Sequence, residues 1–188
     1  MGQVSGIIKK LELAPQDQEN VQAFYASFLD YYSSKKARTL KAKFFRNTAL
    51  YIVGSCLKGK EYNDIDLALV GLTRTKYWNE DHVNILPDLG EHLKYKLKKE
   101  LDCNDDFFDW RSIVEYSADC WKFMILSQKF HPINSSEHPL HFSVLTNDKS
   151  IKKWEKHQQE KSLPYLLLWK SGMTDQNIIT KNLKVNKT

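Results

Sequence analysis

The chemistry-bearing residues lie close together: Gly54-Ser55 closes the apolar run Ala49-Leu50-Tyr51-Ile52-Val53, and Asp64-Ile65-Asp66 opens the run Leu67-Ala68-Leu69-Val70. Between them lies a short polar turn with Lys58, Gly59 and Lys60. This order predicts two strands with a phosphate-sized gap between them. Alternate side chains share a strand face, so Asp64 and Asp66 point the same way while Ile65 and Leu67 enter a core. Two carboxylates held side by side repel unless a cation neutralises them, and a hard ion such as Mg2+ bound with phosphate oxygens resolves the conflict. Gly54 lets the backbone approach a ligand, and Ser55 offers a hydroxyl and an N–H to a phosphate oxygen. The chemistry expected of metal plus phosphate holder is phosphoryl or nucleotidyl transfer.

The stretch resembles the nucleotidyltransferase superfamily related to DNA polymerase beta, whose signature is an apolar strand ending in Gly-Ser or Gly-Gly, a spacer, and Asp-x-Asp on the next strand. Leu50 to Val70 carries the resemblance; elsewhere only the order of elements agrees. The resemblance implies that Asp64 and Asp66 bind Mg2+, that Gly54, Ser55, Lys58 and Lys60 meet the phosphates of an NTP such as ATP, and that an acceptor hydroxyl attacks the α phosphorus. It also implies a third acid on a later strand. The candidate strand is Leu140 to Leu145, following Pro139, and its alternation puts His141, Ser143 and Leu145 on one face. Ser143 is therefore expected at the acid's place, where a hydroxyl is neither base nor strong ligand.

Three readings stay open. An active transferase could draw its third acid from Asp105, Asp106, Asp109, Glu115 or Asp148, or use His141 as base. A silent relative could bind a nucleotide without transferring it, as a docking or antitoxin-like module. Ser143 could also replace an aspartate to trap a complex. A separate reading, RNA binding, would use the basic stretch of Lys35, Lys36, Arg38, Lys41, Lys43 and Arg46, which is equally compatible with a solvated face. Small molecule, protein and RNA all remain open as the acceptor.

With 188 residues the chain suits one well-buried core, and 41% hydrophobic with 27% charged residues is ordinary for a globular protein. No apolar stretch approaches the roughly 20 residues of a membrane span, and the first residues lack the apolar block of a secretion signal. Cys56, Cys103 and Cys120 show no Cys-x-x-Cys spacing, so reduced thiols and a cytoplasmic location are expected, with Cys56 as a small filler. His131, His138 and His141 lack the companion ligands of a zinc site.

The elements needed to position the site read as an α/β (α+β) chain: a mixed β-sheet flanked by helices, with a C-terminal helical segment. Gln16 to Ser34 shows helical spacing, with Asp17 as its cap, and Asn84 to Leu101 forms a second amphipathic helix with Pro87 in its first turn. Asp102 to Asp109 reads as a loop, Trp121 to Leu126 as a strand and Asn134 to Pro139 as a turn. Aromatic residues such as Phe45 are expected mostly in the core. Residues 1–149 would form the nucleotidyltransferase-like domain. Residues 150–188 would add a helical extension and tail on the same domain, its Leu166-Leu167-Leu168-Trp169 block packed away from water.

Overall fold

The computed structural model describes residues 2–34, 45–59, 61–72, 80–101, 109–111, 124–130, 138–146, 150–160, 162–174 and 177–178. Helices α1 (Gly2–Ile8), α2 (Pro15–Ser33), α3 (Glu80–Leu101) and α4 (Ser150–Glu160) flank strands β1 (Ala49–Val53), β2 (Ile65–Leu72), β3 (Asp109–Arg111), β4 (Met124–Phe130), β5 (Leu140–Thr146) and β6 (Tyr165–Lys170). The strands form one six-stranded sheet in the order β3-β4-β5-β2-β1-β6. β2 and β5 run parallel, whereas the other neighbours are antiparallel. The expected mixed sheet with flanking helices is therefore present.

Cross-strand partners share a sheet face. One face carries the rows Leu50/Leu69/Val144 and Ile52/Leu67/Phe142, together with Ile65 and Leu140, all buried. α2 covers this face because Val21, Phe24, Tyr25, Phe28 and Tyr31 recur at helical spacing and are buried. Phe24 meets Phe142 with ring centroids 5.0 Å apart, and Phe28 meets Trp169 edge-on at 5.1 Å. Phe45 joins this aromatic group and is fully buried, as expected. α3 packs on α2 through Leu89, Leu93, Leu97 and Leu101, spaced one turn apart. The Lys96 ammonium donates to Asp30 Oδ2 at 2.9 Å, but Asp30 is half exposed and this tie contributes little to stability.

The opposite face carries the rows Val53/Asp66/His141 and Tyr51/Ala68/Ser143. α4 covers its far part. Trp154 packs on Tyr51 with centroids 4.6 Å apart, and the Tyr51 hydroxyl donates to Glu155 Oε1 at 2.8 Å. Burial first, and then the Glu155 charge, hold that phenol well above its usual range, so it remains a donor. Asp66 and His141 occupy the part of this face that keeps solvent access.

Four expectations need correction. Of the anticipated C-terminal helical stretch, Ser150–Glu160 is helical, whereas Leu166-Leu167-Leu168-Trp169 lies in β6, paired antiparallel to β1. An apolar run of this length suits a strand buried on both faces, because neighbouring residues face opposite layers and both layers are covered. The sheet therefore extends past residue 149 instead of ending before a helical appendage. α3 begins at Glu80, which places Pro87 inside the helix rather than in its first turn. Asp109 belongs to β3 and not to a loop, and the strand expected from Trp121 runs Met124–Phe130 among the described residues.

Trp169 is nearly buried among Phe28, Tyr32 and Phe45. Trp169→Ala is expected to lower unfolding free energy by about 3–5 kcal/mol in urea denaturation, the cost of emptying a large aromatic site. A loss within about 0.5 kcal/mol, the scale of a surface change, would contradict β6 as an integral strand.

Candidate metal and phosphate site

β1 ends at Gly54, whose φ of 89° lies in the region that favours glycine. Its N–H donates to the Pro164 carbonyl at 3.1 Å, just ahead of β6. Ser55–Leu57 then makes a single tight helical turn, with the Leu57 N–H on the Gly54 carbonyl and the Lys58 N–H on the Ser55 carbonyl at 2.8 Å. A Cβ added at Gly54 would sit 3.2 Å from Asp66 Oδ2. The absent side chain at Gly54 thus lets the backbone bend directly against the carboxylate. Ser55 and Lys58 are exposed beside this bend, whereas Lys60 lies outside the described residues.

Asp66 is the second residue of β2 and Asp64 immediately precedes that strand. The Ile65 N–H donates to the Pro139 carbonyl at 3.0 Å, tying the starts of β2 and β5 together. The resulting register places His141 directly beside Asp66, with Nδ1 3.0 Å from Oδ1. One donor atom from each of Asp64, Asp66 and His141 lies within 4.8 Å of the others, and all three residues are partly exposed. Such a group can hold a divalent cation while leaving positions for ligands from solution.

Ser143, the residue expected beside the carboxylate pair, pairs instead with Ala68, one pleat further along. The neighbour of Asp66 is the imidazole of His141, which the sequence offers as a base and not as a metal ligand. Alternation along Leu140 to Leu145 gives the face but not the pairing partner, so it cannot choose between His141 and Ser143. Asp105, Asp106, Glu115 and Asp148 lie outside the described residues, as do the lysines and arginine from Lys35 to Lys43. Asp109 is separated from the pair by β4 and β5, opposite Lys129. Lys129 in turn is the backbone neighbour of His141 on β4, a cation that the sequence does not single out because it lies in no motif.

Cys56 lies beneath the turn and is buried, fitting the filler role. Its Sγ–H donates to the Val53 carbonyl at 3.4 Å. Burial first, then the negative charge of Asp66, push the thiol up to about 12. A neutral buried thiol is a poor nucleophile.

A second polar group braces the site from behind. Asp17 does not cap α2: Ala14 occupies that position with no side-chain hydrogen bond, and Asp17 in the first turn is fully buried. Its Oδ2 accepts from the Tyr62 hydroxyl and lies 2.9 Å from His138 Nδ1. The Tyr62 oxygen also accepts the Ala14 N–H at 3.1 Å, and its ring lies 4.4 Å from that of His138. Burial, followed by the bond to Asp17, pushes the Tyr62 phenol up to about 12. Three distant segments meet here: the start of α2, the residues before Asp64, and the residues before β5. A buried carboxylate requires such partners because an isolated one costs several kcal/mol.

No family model, curated protein or solved structure matches the chain.

Two measurements check this arrangement. Tyr62→Phe removes a donor to Asp17 and the acceptor of the Ala14 N–H, and should cost about 1.5–3 kcal/mol in denaturant unfolding, the scale of a hydrogen bond to a charged group; an unchanged midpoint would contradict the brace. At about pH 8 the Cys56 peptide should resist alkylation by iodoacetamide in the native protein and be labelled readily in urea. Rapid native labelling would place the thiol at the surface.

Proposed function

We propose that the chain is a metal-dependent nucleotidyltransferase of the kind its Gly-Ser and Asp-x-Asp segments resemble. The observation that carries this reading is the approach of the Gly54 bend to Asp66, which sets a turn with exposed Ser55 and Lys58 beside the Asp64 and Asp66 carboxylates. Two carboxylates and an imidazole form a donor set that fits a divalent ion. Asp64 and Asp66 would hold it, and a bound divalent ion supplies charge neutralisation at phosphate oxygens.

The backbone bend at Gly54 and the hydroxyl of Ser55 receive the triphosphate. Lys58, exposed on the turn, offers a point charge to its outer phosphates, and Lys60 follows in sequence. An acceptor hydroxyl oxygen forms a bond to the α phosphorus, the bond to the bridging oxygen of pyrophosphate breaks, and the hydroxyl proton passes to water. The protein's contribution is positioning and electrostatic complementarity.

One observation favours a second reading. The neighbour of Asp66 on β5 is an imidazole and not a third carboxylate, which suits a module that binds a nucleotide without transferring it.

Incubation with each α-labelled NTP and a divalent metal, with and without cell extract, separates the two. Label transfer with pyrophosphate release is expected, falling on the order of 100-fold in Asp64→Asn and in Asp66→Asn while thermal melts stay native. Binding without transfer by the native protein would support the silent module, and transfer unchanged in both variants would remove the site altogether.

A further inference from the structure

The donor set beside Gly54 is not all oxygen. Two atoms bound to one ion at about 2.1 Å and at right angles lie about 3.0 Å apart. Nδ1 of His141 and Oδ1 of Asp66 already have that separation, 3.0 Å. Asp64 completes a triad whose donor atoms all lie within 4.8 Å, so a small side-chain adjustment closes it. The imidazole comes from a strand whose register to β2 is unbroken from Ile65 to Val70, so the nitrogen is built in by the sheet rather than lent by a loop.

Mg2+ binds oxygen donors and gives up its waters reluctantly, whereas imidazole suits first-row transition ions, whose affinity for mixed nitrogen and oxygen sites rises from Mn2+ to Cu2+. We propose that the centre is a transition-metal site in which His141 Nδ1 is a direct ligand beside Asp64 and Asp66, and that it prefers an ion of this class to Mg2+. The proposal rests on the reading of Asp64 and Asp66 as metal ligands given above. It replaces the Mg2+ expected from the carboxylates alone, because the nitrogen becomes visible only once β5 is in register. The competing arrangement has Nδ1–H donating to Oδ1, with His141 orienting the carboxylate and no nitrogen on the metal.

Mn2+ is the weakest binder of the series and makes a strict probe. The full chain, without nucleotide, is titrated with Mn2+ by electron paramagnetic resonance, and the bound ion is examined by electron spin echo modulation for nitrogen-14. The expected result is saturable binding with an imidazole nitrogen signal, resisted by a roughly tenfold excess of Mg2+. His141→Asp should retain Mn2+, lose the nitrogen signal and let Mg2+ compete. Saturable binding without nitrogen modulation in the native protein overturns direct ligation, and no saturable binding overturns the site. Label transfer is scored separately. A nitrogen-ligated ion in a chain that transfers nothing leaves this inference standing without the transferase reading, and transfer supported by a centre without nitrogen modulation does the reverse.

Discussion

The close approach of the Gly54 backbone to the Asp66 carboxylate is the constraint on which the site depends. It requires a residue without a side chain in a positive-φ conformation, at the end of a strand paired in register with the strand bearing the acid. The hydrogen bond from the Gly54 N–H to the Pro164 carbonyl holds the bend, and β6 lies directly beyond that carbonyl. From the other side, the bond between Ile65 and Pro139 sets the two parallel strands so that His141 stands beside Asp66. The chemistry and the sheet are therefore one problem: a shift by one residue in either pairing would turn the acid or the imidazole to the opposite face.

The two sides of the sheet divide the work. The side under α2 is closed by aromatic and aliphatic packing, with Phe24, Phe28, Phe142 and Trp169 among its members. The other side is closed over Tyr51, Ala68, Ala49 and Val70, with α4 against Tyr51, and leaves Asp66 and His141 partly accessible near the starts of β2 and β5. Burying one part of a face while wetting another lets charged groups keep partial hydration on a rigid frame. Side chains carried on paired strands are held more precisely than side chains carried on loops.

Much of the frame was legible in the sequence. The periodic apolar residues of α2 and α3 and the alternation of β2 and β5 marked those elements, because each reports its own burial locally. What was hidden depends on contacts between distant segments. Leu166-Leu167-Leu168-Trp169 has no period, and its place beside β1 is set by a sheet closed from both faces. Asp17 read as a helix cap because its local spacing allows one, yet Tyr62 and His138 claim the carboxylate instead. Gly54, Ser55, Asp64 and Asp66 were readable because they are close in sequence. The partner of Asp66 was not, because it is chosen by a parallel pairing across which β3 and β4 intervene.

The position of β6 has a consequence for how the molecule comes into being. β1 lies between β2 and β6, so until Tyr165–Lys170 has been synthesised it has one neighbour and an open backbone edge. The Gly54 N–H cannot donate to the Pro164 carbonyl before that moment either. A chain still growing on the ribosome thus carries the Gly-Ser and Asp-x-Asp segments long before it can lock them together. Maturation of the site is tied to arrival of a late strand, and until then the unpaired edge of β1 is the surface most in need of protection from neighbouring chains.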